Sequence, residues 1–280
     1  MNAAIKLSSP ATHEFWEIPI LHEDADLLAL EKPAGLLTSP DRLAPERPSL
    51  MKLLQEAIAA GKPWVRERNL TYLANSHRLD LETSGVLLLA KSKAALVALA
   101  DQFGTDRPLR KYLALTQGVP LEDTFVVDQK IGPHPLQGGR MQIDPRRGRK
   151  SRTEFAVLEK FSRWSLLRCV PRGERPQQIA LHLSYARFPL VGDEAHGGKQ
   201  LWLSRLKRDF RLKPGREERP LISRPLLHAE EIAIVHPATQ QPVCIRSEWP
   251  KDLRVALKYL RLHALPGAWE RRERADETPD

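Results

Sequence analysis

Apolar residues along this chain recur with two periods, and each change of period marks an element. Ile18 to Glu31 carries apolar residues on either side of a polar stretch at His22, Glu23, Asp24, Ala25 and Asp26. That pattern predicts a strand, a turn and a second strand from Leu27. From Ser49 to Ala60 the spacing becomes helical. Leu50, Leu53, Leu54 and Ala57 share one face, Ser49 stands at the N-cap, and Gly61 and Pro63 follow the end. Val86 to Ala90 is an unbroken run of branched or small residues between Gly85 and Lys91, as in a strand buried on both faces. Ser92 to Gln102 reads as a second capped helix, and Arg110 to Gln117 as a strand with partial alternation. Thr153 to Phe161 and Ser165 to Val170 predict paired strands around a turn at Ser162 and Arg163. Gln177 to Arg187 predicts a helix. Glu231 to Val235 and Val243 to Glu248 form a further expected strand pair, and Lys251 to Leu262 a closing amphipathic helix.

The ends lack such patterning. Residues 1–16 are polar and irregular and are expected to be a flexible N-terminal arm, pinned by Phe15 and Trp16. Residues 17–265 are expected to form one domain, and residues 266–280 a disordered charged tail. There is no internal repeat, no apolar core of a signal peptide, and no run approaching the roughly 20 apolar residues of a membrane span. A cytoplasmic location without membrane association is the expectation. Cys169 and Cys244 each lie in an apolar run and are expected to be buried free thiols, with no metal-ligand spacing around them.

Charge changes the picture. The formal net charge is +9 over 280 residues, which favours a polyanionic partner. Within Gly132 to Lys150 stand Arg140, Arg146, Arg147, Arg149 and Lys150 against the single acid Asp144. This reads as a mobile basic hairpin or loop suited to phosphate contact. Arg205 to Arg224 is a second basic stretch, mixed with Asp209, Glu217 and Glu218.

The candidate chemistry lies just before the buried run, in His77-Arg78-Leu79-Asp80-Leu81-Glu82-Thr83-Ser84-Gly85. Here a carboxylate precedes a core strand, with hydroxyls and a glycine to set the loop. A nucleophile or general base needs such a stiff seat, because a misplacement of about 1 Å can cost roughly a hundredfold in rate. By spacing alone the cluster reads first as an ion pair capping an element.

This stretch resembles the signature of the RluA-type pseudouridine synthases, His-Arg-Leu-Asp-x-x-Thr-Ser-Gly, and is complete here from His77 to Gly85. Further landmarks follow in the right order: Lys32-Pro33-Ala34-Gly35, Lys111-Tyr112-Leu113-Ala114, Pro189-Leu190-Val191-Gly192-Asp193, Leu227-His228-Ala229 and His236-Pro237-Ala238-Thr239. The segment Gly173-Glu174-Arg175-Pro176-Gln177-Gln178-Ile179-Ala180-Leu181-His182 matches the family pattern Thr-Gly-Arg-x-His-Gln-Ile-Arg-x-His at Arg175, Gln178, Ile179 and His182. It departs at Ala180, where the family has an arginine that pairs with the catalytic aspartate, and Arg175 is the candidate to replace that cation.

The resemblance spans roughly residues 18–262 and implies an α+β pseudouridine synthase fold: a mixed, largely antiparallel central sheet, flanking helices and a basic RNA-binding cleft. It implies isomerisation of uridine to pseudouridine in structured RNA, transfer or ribosomal, with no cofactor and no metal. Asp80 would be the catalytic residue. Arg78, Tyr112, Arg175 and Ile179 would bind the RNA and the base, with His77 and Thr83 supporting the loop. Nothing ahead of Lys32 is long enough for the RNA-binding domain many relatives carry, so the catalytic domain alone is expected; a monomer is a separate expectation. Two other readings stand beside this one. The first is a non-catalytic RNA-binding relative. The second is a hydrolase using Asp80 and Glu82 as a carboxylate pair on one strand face.

Overall fold

A computed structural model describes residues 4–265, so the tail expected from residue 266 lies outside the described residues. In chain order the elements are β1 (Ala4–Ser9), β2 (Glu14–Glu23), β3 (Leu27–Lys32), α1 (Leu50–Ala59), α2 (Pro63–Glu67), β4 (Ala74–Asn75), β5 (Ser84–Ala90), α3 (Lys93–Gly104) and β6 (Leu109–Gln117). There follow β7 (Thr124–Asp128), β8 (Ile131–Pro133), β9 (Met141–Ile143), β10 (Arg152–Lys160), β11 (Trp164–Arg172), α4 (Gln178–Tyr185), α5 (Leu203–Leu206), β12 (Leu227–Val235), β13 (Pro242–Arg246) and α6 (Lys251–His263).

The chain divides into two compact units that are not continuous in sequence. The first takes the described residues up to Lys111, with Pro135–Gly139 and His228–Glu248. The second takes Tyr112–His134, Arg140–Leu227 and the residues from Trp249. In the first unit the strand order is β1-β2-β3-β5-β12, with β13 on β12 and β4 on β5. All of these pairings are antiparallel except β5 with β12, which is parallel. All seven residues of β5 are buried. Val86, Leu88 and Ala90 join Leu27, Ala29, Ala95, Leu99, Ile232 and Ile234 in one core, and Leu87 and Leu89 on the opposite face are buried as well, which is why the run carries no alternation. In the second unit the antiparallel order is β6-β11-β10-β7, beside the small pair β8–β9. Leu253, Ala256, Leu257 and Leu260, spaced along one face of α6, enter its core with Leu113, Leu115, Trp164 and Leu166. The fold class is α+β, with a mixed and mostly antiparallel sheet.

The arm expected over residues 1–16 is, from Ala4, a hairpin. β1 pairs with β2 in the register Ile5↔Ile18 and Leu7↔Trp16, with Ile5 and Leu7 buried and Lys6 and Ser8 exposed. Two apolar residues at period two are enough to seat it. Phe15 does not pin this segment, because it is 62% exposed. Cys169 is buried as expected, but Cys244 is exposed, since its neighbour Ile245 takes the inward position on β13. Among the described residues no helix is long and apolar enough to cross a membrane.

Candidate active site

The Asp80 loop is fixed at both shoulders. On one side the Thr38 hydroxyl donates to the Leu79 carbonyl (2.8 Å) and accepts from the Leu79 N–H (3.1 Å), a reciprocal clamp on the residue before Asp80. On the other, the Leu81 carbonyl accepts from the Gly35 N–H (3.0 Å) and from Lys32 Nζ (3.1 Å). Lys32 is wholly buried, and its Nζ also donates to the carbonyls of Pro33 (2.8 Å) and Leu36 (2.6 Å). Three carbonyl acceptors call for three N–H donors, so this side chain is an ammonium. The Lys-Pro-x-Gly turn thus exists to brace the loop, and Gly35 supplies the positive φ of 81° that the turn needs. The loop closes on itself through the Thr83 N–H, which donates to the Asp80 carbonyl (3.1 Å).

His77 is buried, and its Nε2 accepts from the Leu88 N–H on β5 (3.0 Å) while its ring stacks on Phe103, centroids 5.2 Å apart. Burial, helped by the Arg110 guanidinium, pushes this imidazole down to about 3. His77 is therefore neutral and holds the loop against the strand. Thr83 is buried, Arg78 is exposed, and Asp80 is partly exposed. At the strand entrance the Ser84 hydroxyl bonds His228 Nδ1 (3.0 Å). Next to it Gly85, at φ 113°, lies so close to β12 that a Cβ would meet the Ala229 carbonyl oxygen at 2.2 Å. Leu81 and Glu82 form a turn, so the strand face that the hydrolase reading needs for Asp80 and Glu82 does not exist.

The other candidates belong to the second unit. Tyr112, buried, pairs with Cys169 across β6 and β11, while its neighbour Lys111 ion-pairs with Glu231 (2.7 Å). The irregular segment before α4 has its own logic. Gln177 adopts a left-handed conformation at φ 58° and its side chain accepts from the Met141 N–H (3.1 Å), tying β9 to the helix start. Gln178 accepts from the Arg175 N–H (2.9 Å) and donates to the carbonyls of Arg152 and Arg172 (both 3.1 Å), joining the turn to β10 and β11. His182 is buried between Thr153 (2.8 Å) and Ser151 (3.3 Å), and desolvation lowers its pKa. Ile179 and Ala180 are buried on the first turn of α4. Arg175 Nη1 donates to the Glu174 carbonyl (3.0 Å), and its buried Nε–H meets no acceptor among the described residues. Thr38 and the carbonyl-binding role of Lys32 carry no pattern in the sequence.

A family model described as RNA pseudouridylate synthase matches residues 26–185. The chain belongs to the RNA pseudouridylate synthase family. Ribosomal large subunit pseudouridine synthase D of Nitrosomonas europaea is 34% identical over 252 residues, covering 89% of this chain and 68% of that protein. Ribosomal large subunit pseudouridine synthase C of Escherichia coli K12 is 31% identical over 243 residues, covering 86% and 70%. Among solved structures, human RNA pseudouridylate synthase domain containing 1 aligns with a TM-score of 0.61 at 25% identity, over 94% of this chain and 96% of its own. Human RNA pseudouridylate synthase domain containing 4 shares the fold, with a TM-score of 0.63 at 23% identity over 86% and 92%. The activity of this family member is the isomerisation of uridine to pseudouridine in RNA.

One cluster in the first unit has the composition of a metal site: Asp24, Asp26 and His236, whose potential ligand atoms lie within 4.8 Å of one another. His236 Nδ1 accepts from the N–H groups of Ala238 (3.2 Å) and Thr239 (3.1 Å), so Nε2 carries the proton and donates to Asp24 (3.2 Å). A protonated Nε2 offers no lone pair to a cation. Burial works to raise the Asp24 carboxyl, but hydrogen bonds from His22, Asp26 and Leu27 outweigh it and hold it at about 2. The His-Pro-x-Thr turn is thus a structural lock on the β2–β3 turn.

Proposed function

We propose that this pseudouridine synthase acts on ribosomal RNA, as a cytoplasmic monomer, with Asp80 as its catalytic carboxylate. The observation that carries the reading is the seat of Asp80, braced through Leu79 by Thr38 and through Leu81 by Lys32 and Gly35. The reaction breaks the N1–C1′ glycosidic bond, turns the uracil, and forms a C5–C1′ bond. C5 loses a proton and N1 gains one, so no electron acceptor or donor is required. What the reaction requires is a placed carboxylate near C1′ or C6, walls that keep the severed base, and a route for the proton.

The target uridine must first leave its stack, at a cost of a few kcal/mol. Arg78, exposed beside Asp80, supports that flipped geometry. Tyr112 packs on the uracil and takes part in moving the C5 proton, and Ile179 adds an apolar wall. Arg175 contacts the RNA. An unmet buried N–H costs about 1–3 kcal/mol, and a substrate oxygen at its Nε would relieve that. His77 and Thr83 position the loop. The names of the relatives, both ribosomal large subunit synthases, support the ribosomal substrate.

Asp80→Asn is expected to abolish pseudouridine formation while RNA affinity falls less than tenfold, under about 1.4 kcal/mol. Retained turnover would remove Asp80 from the mechanism. A pseudouridine map of cellular RNA with and without the gene tests the substrate. Sites lost only from transfer RNA would reassign it.

A further inference from the structure

We propose that Phe103 is a positioning residue of the reaction, holding the imidazole of His77 and, through it, the loop that carries Asp80. The inference rests on the reading of Asp80 as the catalytic carboxylate and adds the device that sets the start of its loop. All the groups involved lie in the first unit. His77 stands three residues before Asp80, where the chain leaves β4. There Ser76 meets the Leu88 carbonyl through its N–H (3.3 Å) and its hydroxyl (3.2 Å), and the Leu88 N–H donates to His77 Nε2 (3.0 Å). A side chain thus stands in for the next backbone acceptor beside β5. A backbone carbonyl in a strand cannot turn away from its donor, but an imidazole can.

One hydrogen bond fixes a point on the ring and leaves its plane free to turn about that bond. The turn is opposed by Phe103, whose ring stacks on His77 with centroids 5.2 Å apart and planes 18° from parallel. His77 Nδ1 carries the proton of the neutral ring and meets no acceptor among the described residues, so without that face beside it the ring would gain by turning toward water. Phe103 is itself held on both sides. Before it, the Gln102 side chain grips the Val235 backbone of β12, donating to the carbonyl (2.7 Å) and accepting from the N–H (2.9 Å). Just after α3, the Asp106 carboxylate ion-pairs with Arg110 of β6, whose guanidinium lies over the Phe103 ring, 5.7 Å from its centroid. The Phe103 side chain packs against the core that holds β5.

The same ring keeps the imidazole in the state that can accept. From β6 the Arg110 guanidinium acts on it, and from the end of α3 the Asp106 carboxylate pairs with that guanidinium, while β4 and β5 carry no charged residue. Burial and that cation both disfavour a proton on His77. A protonated Nε2 has no lone pair for the Leu88 N–H, so water admitted beside the ring would release the loop at its start. A displacement of about 1 Å at a reacting group can cost roughly a hundredfold in rate, so a small turn of His77 reaches Asp80 as lost turnover and not as lost RNA affinity.

The test makes Phe103→Ala, Phe103→Tyr, His77→Ala and the double alanine variant in the full chain, and measures kcat and KM for pseudouridine formation well below each unfolding transition. Phe103→Ala is expected to lower kcat at least tenfold with KM for RNA within threefold of the parent. Phe103→Tyr, which keeps the ring, is expected to stay within threefold in kcat. The double variant is expected to lose no more than His77→Ala alone, within threefold, because both removals break the same link. Losses that multiply would overturn the assignment, as would an unchanged Phe103→Ala or a loss that Phe103→Tyr shares. Nuclear magnetic resonance of nitrogen-labelled histidine reads the link directly. The His77 ring is expected to stay neutral at about pH 5 in the parent and to take up a proton there in Phe103→Ala. A ring that is unaltered in the variant would overturn the proposal. If Phe103→Ala does not fold, Phe103→Leu keeps the apolar bulk without the flat face and is expected to lose at least threefold in kcat, an unchanged kcat again overturning it. Retained turnover in Asp80→Asn would fail the reading of Asp80, whereas the His77 resonances and the double-variant comparison judge Phe103 by themselves.

Discussion

His77 stays neutral in the folded protein far below the pH at which a free imidazole takes its proton. Between about 6.5 and 3 the unfolded chain binds that proton and the folded chain does not. This residue's contribution to stability is therefore full above about 6.5 and falls by about 1.4 kcal/mol per pH unit through that window. Urea unfolding at pH 7 and pH 5 measures the slope. His77→Gln, whose carbonyl can still accept from Leu88, is expected to reduce the slope by one proton. His77 was legible in the sequence as part of a nine-residue signature, whereas its partner Leu88 was not. Lys32 was legible only as part of a turn, because its most distant acceptor is a backbone carbonyl 49 positions away and no side-chain pattern announces that bond.

At the scale of the element, the Asp80 loop borrows its rigidity from a neighbour. Thr38 lies 41 positions from Leu79 and meets it with both donor and acceptor. Thr38→Val keeps the shape but leaves a buried N–H and a buried carbonyl unmet, at about 1–3 kcal/mol. It is expected to lower turnover at least tenfold with little change in RNA affinity, as single-turnover rates at saturating RNA would show. β10, β11 and α6 were readable because their apolar residues follow one clear period, and β5 because its apolar run is unbroken between Gly85 and Lys91. The β1 hairpin was not readable, since only Ile5 and Leu7 carry its alternation. β7 and α2 were missed for the related reason that each is five residues long, with a single buried residue in α2.

At the scale of the whole molecule, charge governs association. Arg146, Arg147, Arg149 and Lys150 are exposed around the turn after β9, and Arg140 is partly so. Binding to RNA is expected to weaken steeply with salt, and reversing these five charges is expected to cost at least tenfold in affinity and flatten the salt slope. Filter binding at 50 and 200 mM salt would show it, and unchanged affinity would make the segment a solvated surface only.

The chain also crosses between its two units repeatedly, and the first cannot be completed until residues 228–248 have been made. β5 is flanked on one edge by β3 and on the other by β4 at Leu89 and Ala90 and by β12 at Ser84 and Gly85, and His228 of β12 lies 144 positions after Ser84. A ribosome making this protein at about 5–20 residues per second would leave the Ser84–Gly85 end of that second edge unpaired for roughly 7–30 seconds before β12 emerges. An open, uncharged strand edge is a template for pairing with another chain. The nascent protein therefore passes through a window of vulnerability that the finished fold conceals.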